Sequence, residues 1–139
     1  MNPNWLAKSK GDSPLSTIDT KIILEKIARH CNDIFADITN YNYDDFLLDF
    51  KTQRAVFMSL HQIGELSSRL PSKFRERHEN IPWSAIRQVR NIIAHEYVRI
   101  NLDIIWMTIT GDIPTLHSYV TAVIKRMDEN KESASYEKD

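Results

Sequence analysis

The spacing of apolar residues restricts this chain most. Leu24, Ile27, Cys31, Ile34 and Ile38 follow one another at steps of three and four. At about 100° per residue, such steps put all five on one face of a helix. No stretch shows the sustained β-branched alternation between turn residues that marks a strand. Only three glycines interrupt the 139 residues. The pattern predicts an all-α fold, an up-down bundle of four to five helices with short connections.

The first helix is predicted over about 17–38, with Ser16 as N-cap and Asp19 in the first turn, where a carboxylate suits the helix dipole. Thr39 to Asn42 break the pattern. A second helix is expected over about 43–69, with Phe46, Phe50, Phe57, Leu60, Gly64 and Ser67 inward and Gly64 marking a close helix crossing. Leu70-Pro71 ends it, and a short polar connection carries Lys73, Arg75, Arg77 and His78. Pro82 suits the first turn of a third helix, from Trp83 towards Tyr97. Asn101 caps a short fourth helix holding Leu102, Ile105, Trp106 and Ile109, and Gly111 is its expected stop. Asp112 and Pro114 open a fifth, with Leu116, Val120, Val123 and Met127 inward. The organisation predicted is a flexible segment over 1–16, one helical domain over 17–128 and a disordered charged tail over 129–139.

Charge bounds the function. The formal net charge is -1, so the chain is not a globally basic nucleic-acid binder. Locally the balance differs. From Arg69 to Arg99 seven Arg or Lys face three Glu, an excess of four, while the rest of the chain carries eleven positive and sixteen negative residues. This stretch is the expected phosphate-binding side, although Lys73, Arg75 and Arg77 would also suit a solvated loop. One cysteine, Cys31, allows no internal disulfide and favours a reducing compartment. No apolar run nears the roughly 20 residues needed to span a bilayer, and no apolar core follows Lys8 and Lys10 as in a secretory signal. These features read as cytoplasmic, with no membrane contact. His30, His61 and His117 have no ligand spacing, so no metal site is expected. Trp83 and Trp106 read as core anchors.

The stretch from Arg87 to Arg99, R-Q-V-R-N-I-I-A-H-E-Y-V-R, carries the most chemistry. On an ideal helix Ile86, Val89, Ile93 and Tyr97 face the core, Arg87, Asn91 and His95 form a second stripe, and Arg90 lies on the border. A guanidinium matches phosphate oxygens in a bidentate fork and stabilises developing charge. Imidazole moves protons near neutral pH. RNA supplies its own nucleophile in the 2′-hydroxyl, so such a pair could cut it without a metal. Residues five apart on a regular helix, however, point about 140° from each other. Either the helix loosens near Ala94, or a second subunit completes the site. A purely structural reading stands beside this one: His95 capping carbonyls at the helix end, and Arg90 paired with a carboxylate such as Glu65.

The spacing Arg90-Asn91-x-x-Ala94-His95-x-Tyr97 resembles the signature of HepT-type proteins of the HEPN superfamily. Ile63-Gly64-Glu65, Ile81-Pro82-Trp83, Leu102-Asp103-Ile104-Ile105-Trp106 and Asp112-Ile113-Pro114 resemble that family's other landmarks, in order, over roughly 17–127. Val98 departs from it, standing where relatives often carry an aromatic.

The resemblance implies a two-fold homodimer whose motif helices meet at an interface cleft. It implies a metal-independent endoribonuclease with no cofactor, with Arg90 and His95 catalytic and Asn91 in support. Members are typically toxins of prokaryotic toxin–antitoxin pairs. Their partner is an MntA-like nucleotidyltransferase that transfers AMP to the motif tyrosine, here Tyr97, and silences the toxin. Arg87, Arg99, Lys73, Arg75 and Arg77 are the candidate RNA contacts. The competing expectation is a non-catalytic, nucleotide-binding or regulatory subunit of a nucleotidyltransferase.

Overall fold

The computed structural model describes residues 17–95 and 100–137. They are overwhelmingly helical, and no strand occurs among them. Four principal helices carry the fold: α1 (Thr17–Asp37), α3 (Phe50–Ser68), α5 (Trp83–His95) and α7 (Ile113–Glu137). Three short ones, α2 (Tyr43–Leu48), α4 (Ser72–Arg77) and α6 (Leu102–Met107), fill the connections. α1 packs against α3 and α7, and α3 packs against α5. Each helix gives one apolar stripe to a single core. Leu24, Ile27, Cys31 and Ile34 come from α1, Val56, Leu60 and Ile63 from α3, Ile86 and Val89 from α5, and Leu116 and Val120 from α7. Fully burying such a side chain stabilises by about 1.5–3 kcal/mol. An ion pair between Lys21 and Asp128, 2.5 Å, links α1 to α7 at the surface. Among the described residues, no helix is long and apolar enough to cross a membrane.

The first helix follows its predicted bounds, but Ser16 lies outside the described residues. The turn after it reverses at Asn40, φ 63°, a left-handed conformation that asparagine tolerates better than most residues. Asn42 then caps α2 in a capping box. Its side chain accepts from the Asp45 amide at 2.9 Å, and Asp45 accepts from the Asn42 amide at 3.0 Å.

The single helix expected over 43–69 is two. The backbone leaves the helix at Asp49 (φ -116°, ψ 91°), and four side chains make that break favourable. Asp49 caps α3, accepting from the Thr52 amide at 3.0 Å and the Thr52 hydroxyl at 2.7 Å. Tyr41 donates to the same carboxylate at 2.5 Å. Gln53, buried, donates to the carbonyl of Phe46 (2.8 Å), which also accepts from the Asp49 amide, and to that of Leu47 (3.2 Å) at the end of α2. The break resets the helical phase. Phe46, Leu60, Gly64 and Ser67 face inward as expected and Phe57 partly so, but Phe50 is 70% exposed. Val56 and Ile63 hold the core instead.

Two further expectations are corrected. The polar connection after Pro71 is largely the short helix α4. Gly111 is not a helix stop either. α6, capped by Asn101 as predicted, runs into a π-helical turn (Thr108–Asp112) that passes directly into α7. Gly111 lies in that turn without a positive φ, and the left-handed conformation a glycine stop needs is absent. The π turn lets Thr108 and Ile109 bury beside Ile105 and Ile113. α7 remains helical to Glu137, past the boundary expected after residue 128.

Candidate active site

Three of the candidate residues, Arg75, Arg87 and Arg90, meet beside the crossing of α3 and α5. On α5, Ile86 and Val89 are buried and Ile93 packs at the core margin, as the pattern required. Their opposite face is wet, with Arg87 and Asn91 exposed. Arg90 is half-buried between them, its side chain 24% exposed.

Gly64 of α3 makes room for Arg90. A Cβ at position 64 would stand 2.6 Å from Cβ of Arg90, 2.7 Å from its Cγ and 2.8 Å from its Cδ. Those separations lie far inside van der Waals contact, so only glycine fits beneath this arginine as placed. The next residue, Glu65, brings Oε1 to 3.8 Å from Nε of Arg90. Asn91 accepts from Nη2 of Arg90 at 3.2 Å. The Arg90 stem is therefore fixed by packing and its head is oriented by two neighbours. The ion pair itself is weak. At 3.8 Å, with Glu65 47% exposed, it contributes under about 1 kcal/mol. A phosphate able to accept two charge-assisted bonds would compete well with it.

A small cleft of about 70 Å³ opens beside Arg90, lined by Gly64, Ser67 and Ser68 of α3, Arg75 of α4, and Trp83, Ile86 and Arg87 of α5. Trp83 is packed against the core, and its indole donates to the His78 carbonyl at 3.0 Å. Of the expected RNA contacts, the structure brings Arg75 and Arg87 to this cleft together with Arg90. Lys73 and Arg77, also on α4, are exposed and line none of it. The side chain of His95, and Tyr97 and Arg99 altogether, lie outside the described residues. The backbone is informative at His95 nonetheless. α5 is α-helical through that residue, with no loosening near Ala94. Positions 90 and 95 are thus about 140° apart around the helix axis.

A scan of family descriptions matches residues 23–123 to the ribonuclease HepT-like model. The chain belongs to the HepT-like ribonuclease family. Among the relatives of this HepT-like chain is "Putative RNase TTE0752" of Caldanaerobacter subterraneus subsp. tengcongensis, 36% identical over 74% of this chain and 92% of that one. "Putative RNase MJ0127" of Methanocaldococcus jannaschii is 31% identical over 84% of this chain and 96% of its own. "Probable ribonuclease HepT" of Thermococcus cleftensis is 36% identical over 69% and 87% respectively. No solved structure gives a significant match. The landmarks read from sequence thus identify the family, and the helical bundle agrees with it.

Sequence reasoning anticipated the close crossing at Gly64 and the Glu65 partner of Arg90. It did not anticipate Ser67 as a site residue. Ser67 is 5% exposed, and its Oγ is the one buried side-chain polar atom without a hydrogen-bond partner among the described residues. A serine on an inward stripe gives no sequence signal of that kind. Elsewhere, burial pushes the Cys31 thiol up to about 12, which leaves no thiolate for chemistry. Among the described residues, no three His, Cys, Asp or Glu side chains gather as a metal-binding group.

Proposed function

We propose that this HepT-like chain is an endoribonuclease whose reaction needs no metal ion, with Arg90 and His95 as its catalytic pair. Arg90 carries the reading: a guanidinium whose stem is locked over Gly64 and whose head lies at the rim of a basic cleft. Pre-set charge of this kind is worth most where negative charge develops in the transition state. His95 takes the proton from an RNA 2′-hydroxyl. The 2′-oxygen bonds to the neighbouring phosphorus, and the bond to the 5′-oxygen of the next nucleotide breaks. The products are a 2′,3′-cyclic phosphate and a 5′-hydroxyl, which takes up a proton from solvent or from the His95 of a second copy. Arg90 holds the non-bridging oxygens, and Asn91 orients Arg90.

The regular helix through His95 supports a site shared between two copies, because Arg90 and His95 of one chain diverge around α5. In this reading the chain acts as a two-fold homodimer and as the toxin of a toxin–antitoxin pair. The antitoxin is an MntA-like nucleotidyltransferase. It transfers AMP from ATP to the Tyr97 hydroxyl, with pyrophosphate leaving. The added bulk and negative charge, two residues beyond His95, would oppose RNA phosphate.

The test compares wild type with Arg90→Ala and His95→Ala, first by growth on expression in a bacterial host and then by cleavage of RNA in a chelator. Growth arrest by the wild type alone, with equal accumulation of all three and cleavage that survives chelation, is the expected result. A fully active His95→Ala protein would sink the mechanism. Loss of cleavage on chelation would remove its metal-free part. An absence of both toxicity and cleavage, with Tyr97 unmodified, would favour a nucleotide-binding subunit instead.

A further inference from the structure

The cleft between α3, α4 and α5 gathers more positive charge than Arg90 alone requires. Arg75 and Arg87 reach it from two different helices, and neither has a carboxylate within ion-pair distance among the described residues. The carboxylate of Glu65 is engaged with Arg90. Three guanidinium groups around one concavity repel one another and concentrate anions there. Ser67 lines the same cleft, and its buried hydroxyl has no partner among the described residues. An unmade hydrogen bond of that kind is costly and calls for a ligand or water to complete it.

The dimensions narrow the ligand. About 70 Å³ accommodates a few waters or one tetrahedral oxyanion. It is far below the several hundred Å³ of sites that enclose a whole small molecule. Trp83 and Ile86 form an apolar wall, so the charge is focused on one side. A phosphate that enters must carry the rest of its molecule outside, as a strand lying across the cleft would.

We propose that this cleft is a phosphate subsite for the RNA strand, one that holds a backbone phosphate flanking the one at which Arg90 acts. Arg75 and Arg87 grip the phosphate oxygens, and a rotation about χ1 lets the Ser67 hydroxyl, closed to solvent as it stands, donate at the floor. Lys73 and Arg77 take no part. The placement rests on the ribonuclease reading of Arg90. The anion site itself rests on the arginines and Ser67.

Binding of a non-cleavable, fully 2′-O-methylated RNA oligonucleotide to the His95→Ala protein tests this over a series of salt concentrations. Arg75→Gln and Arg87→Gln are compared with Lys26→Gln, an equal loss of charge at an exposed position of α1 that does not line the cleft. Each cleft variant should weaken binding several-fold and lower the salt slope by about 0.7, the loss of one single-strand phosphate contact. Arginine variants that bind no worse than Lys26→Gln would overturn the proposal. In a parallel arm AMP replaces the oligonucleotide. Arginine-dependent binding of AMP with arginine-independent binding of RNA would overturn the strand placement and assign the cleft to a free nucleotide. Cleavage by the unmodified protein is followed separately. Cleavage without a role for Arg75 and Arg87 overturns the subsite and leaves the nuclease standing. Arginine-dependent RNA binding without cleavage supports the subsite and removes the nuclease.

Discussion

At the scale of single residues, two helical glycines should respond to the same substitution with opposite sign. Gly111 sits in the π turn with nothing within 4 Å of an added Cβ. Gly111→Ala should therefore stabilise the protein by up to about 1 kcal/mol, by restricting the unfolded chain. Gly64→Ala must move either α3 or Arg90, because the new carbon falls on the arginine stem. It should cost about 1–3 kcal/mol. It should also cut RNA cleavage about tenfold to a hundredfold, since small misplacements of a catalytic group are expensive. Urea denaturation and a cleavage assay on both variants check the pair. Full activity in Gly64→Ala would show that Arg90 need not lie where it does. The role of Gly64 was legible because a glycine within a long helical pattern needs a reason to be there. The hydroxyl of Ser67 was not legible, since its lack of a partner arises only when three helices close over it.

At the scale of elements, the break at Asp49 shows where apolar spacing stops being informative. Residues 43–69 read as one helix because Phe46, Phe50 and Phe57 keep helical steps. The competing signals were local and polar: Asn42 with Asp45, and Asp49 with Thr52, both caps at three-residue spacing. Tyr41 and Gln53 decide the contest from outside the helix, and no periodicity reports them. The break predicts a pH dependence. The Tyr41 hydroxyl, then the amide and hydroxyl of Thr52, hold the Asp49 carboxyl down at about 2, below its ordinary 3.8. A lowered folded value means that the stabilisation is complete above the unfolded value and is lost as pH falls through the folded one. Asp49→Ala should therefore unfold at lower urea than wild type at pH 7, and the gap should shrink between about pH 4 and pH 2. A gap that is independent of pH would show that the carboxylate charge does not hold the junction.

At the scale of the whole molecule, the bundle separates its two tasks. α1, α3 and α7 bury most of the core, and α5 adds Ile86 and Val89 among its described side chains while presenting Arg87 and Asn91 outward with Arg90 at the margin. The ordered landmarks made the family legible, since together they run through α3, α5, α6 and the start of α7 in one domain. Contact between copies is a property of surfaces, and one chain's periodicity does not encode it. The divergence of positions 90 and 95 around a regular helix makes the assembly testable through chemistry. If each site takes Arg90 from one copy and His95 from another, mixing the inactive Arg90→Ala and His95→Ala proteins under exchanging conditions should restore activity. A mixed two-fold dimer has one site with both groups and one with neither. Random exchange makes half the dimers mixed, so about one quarter of wild-type cleavage should return. The recovered activity should rise with exchange time and be absent from either variant alone. If sedimentation shows mixed dimers and no cleavage returns, then Arg90 and His95 must serve from the same chain, and α5 would have to bend in the bound state to bring them together.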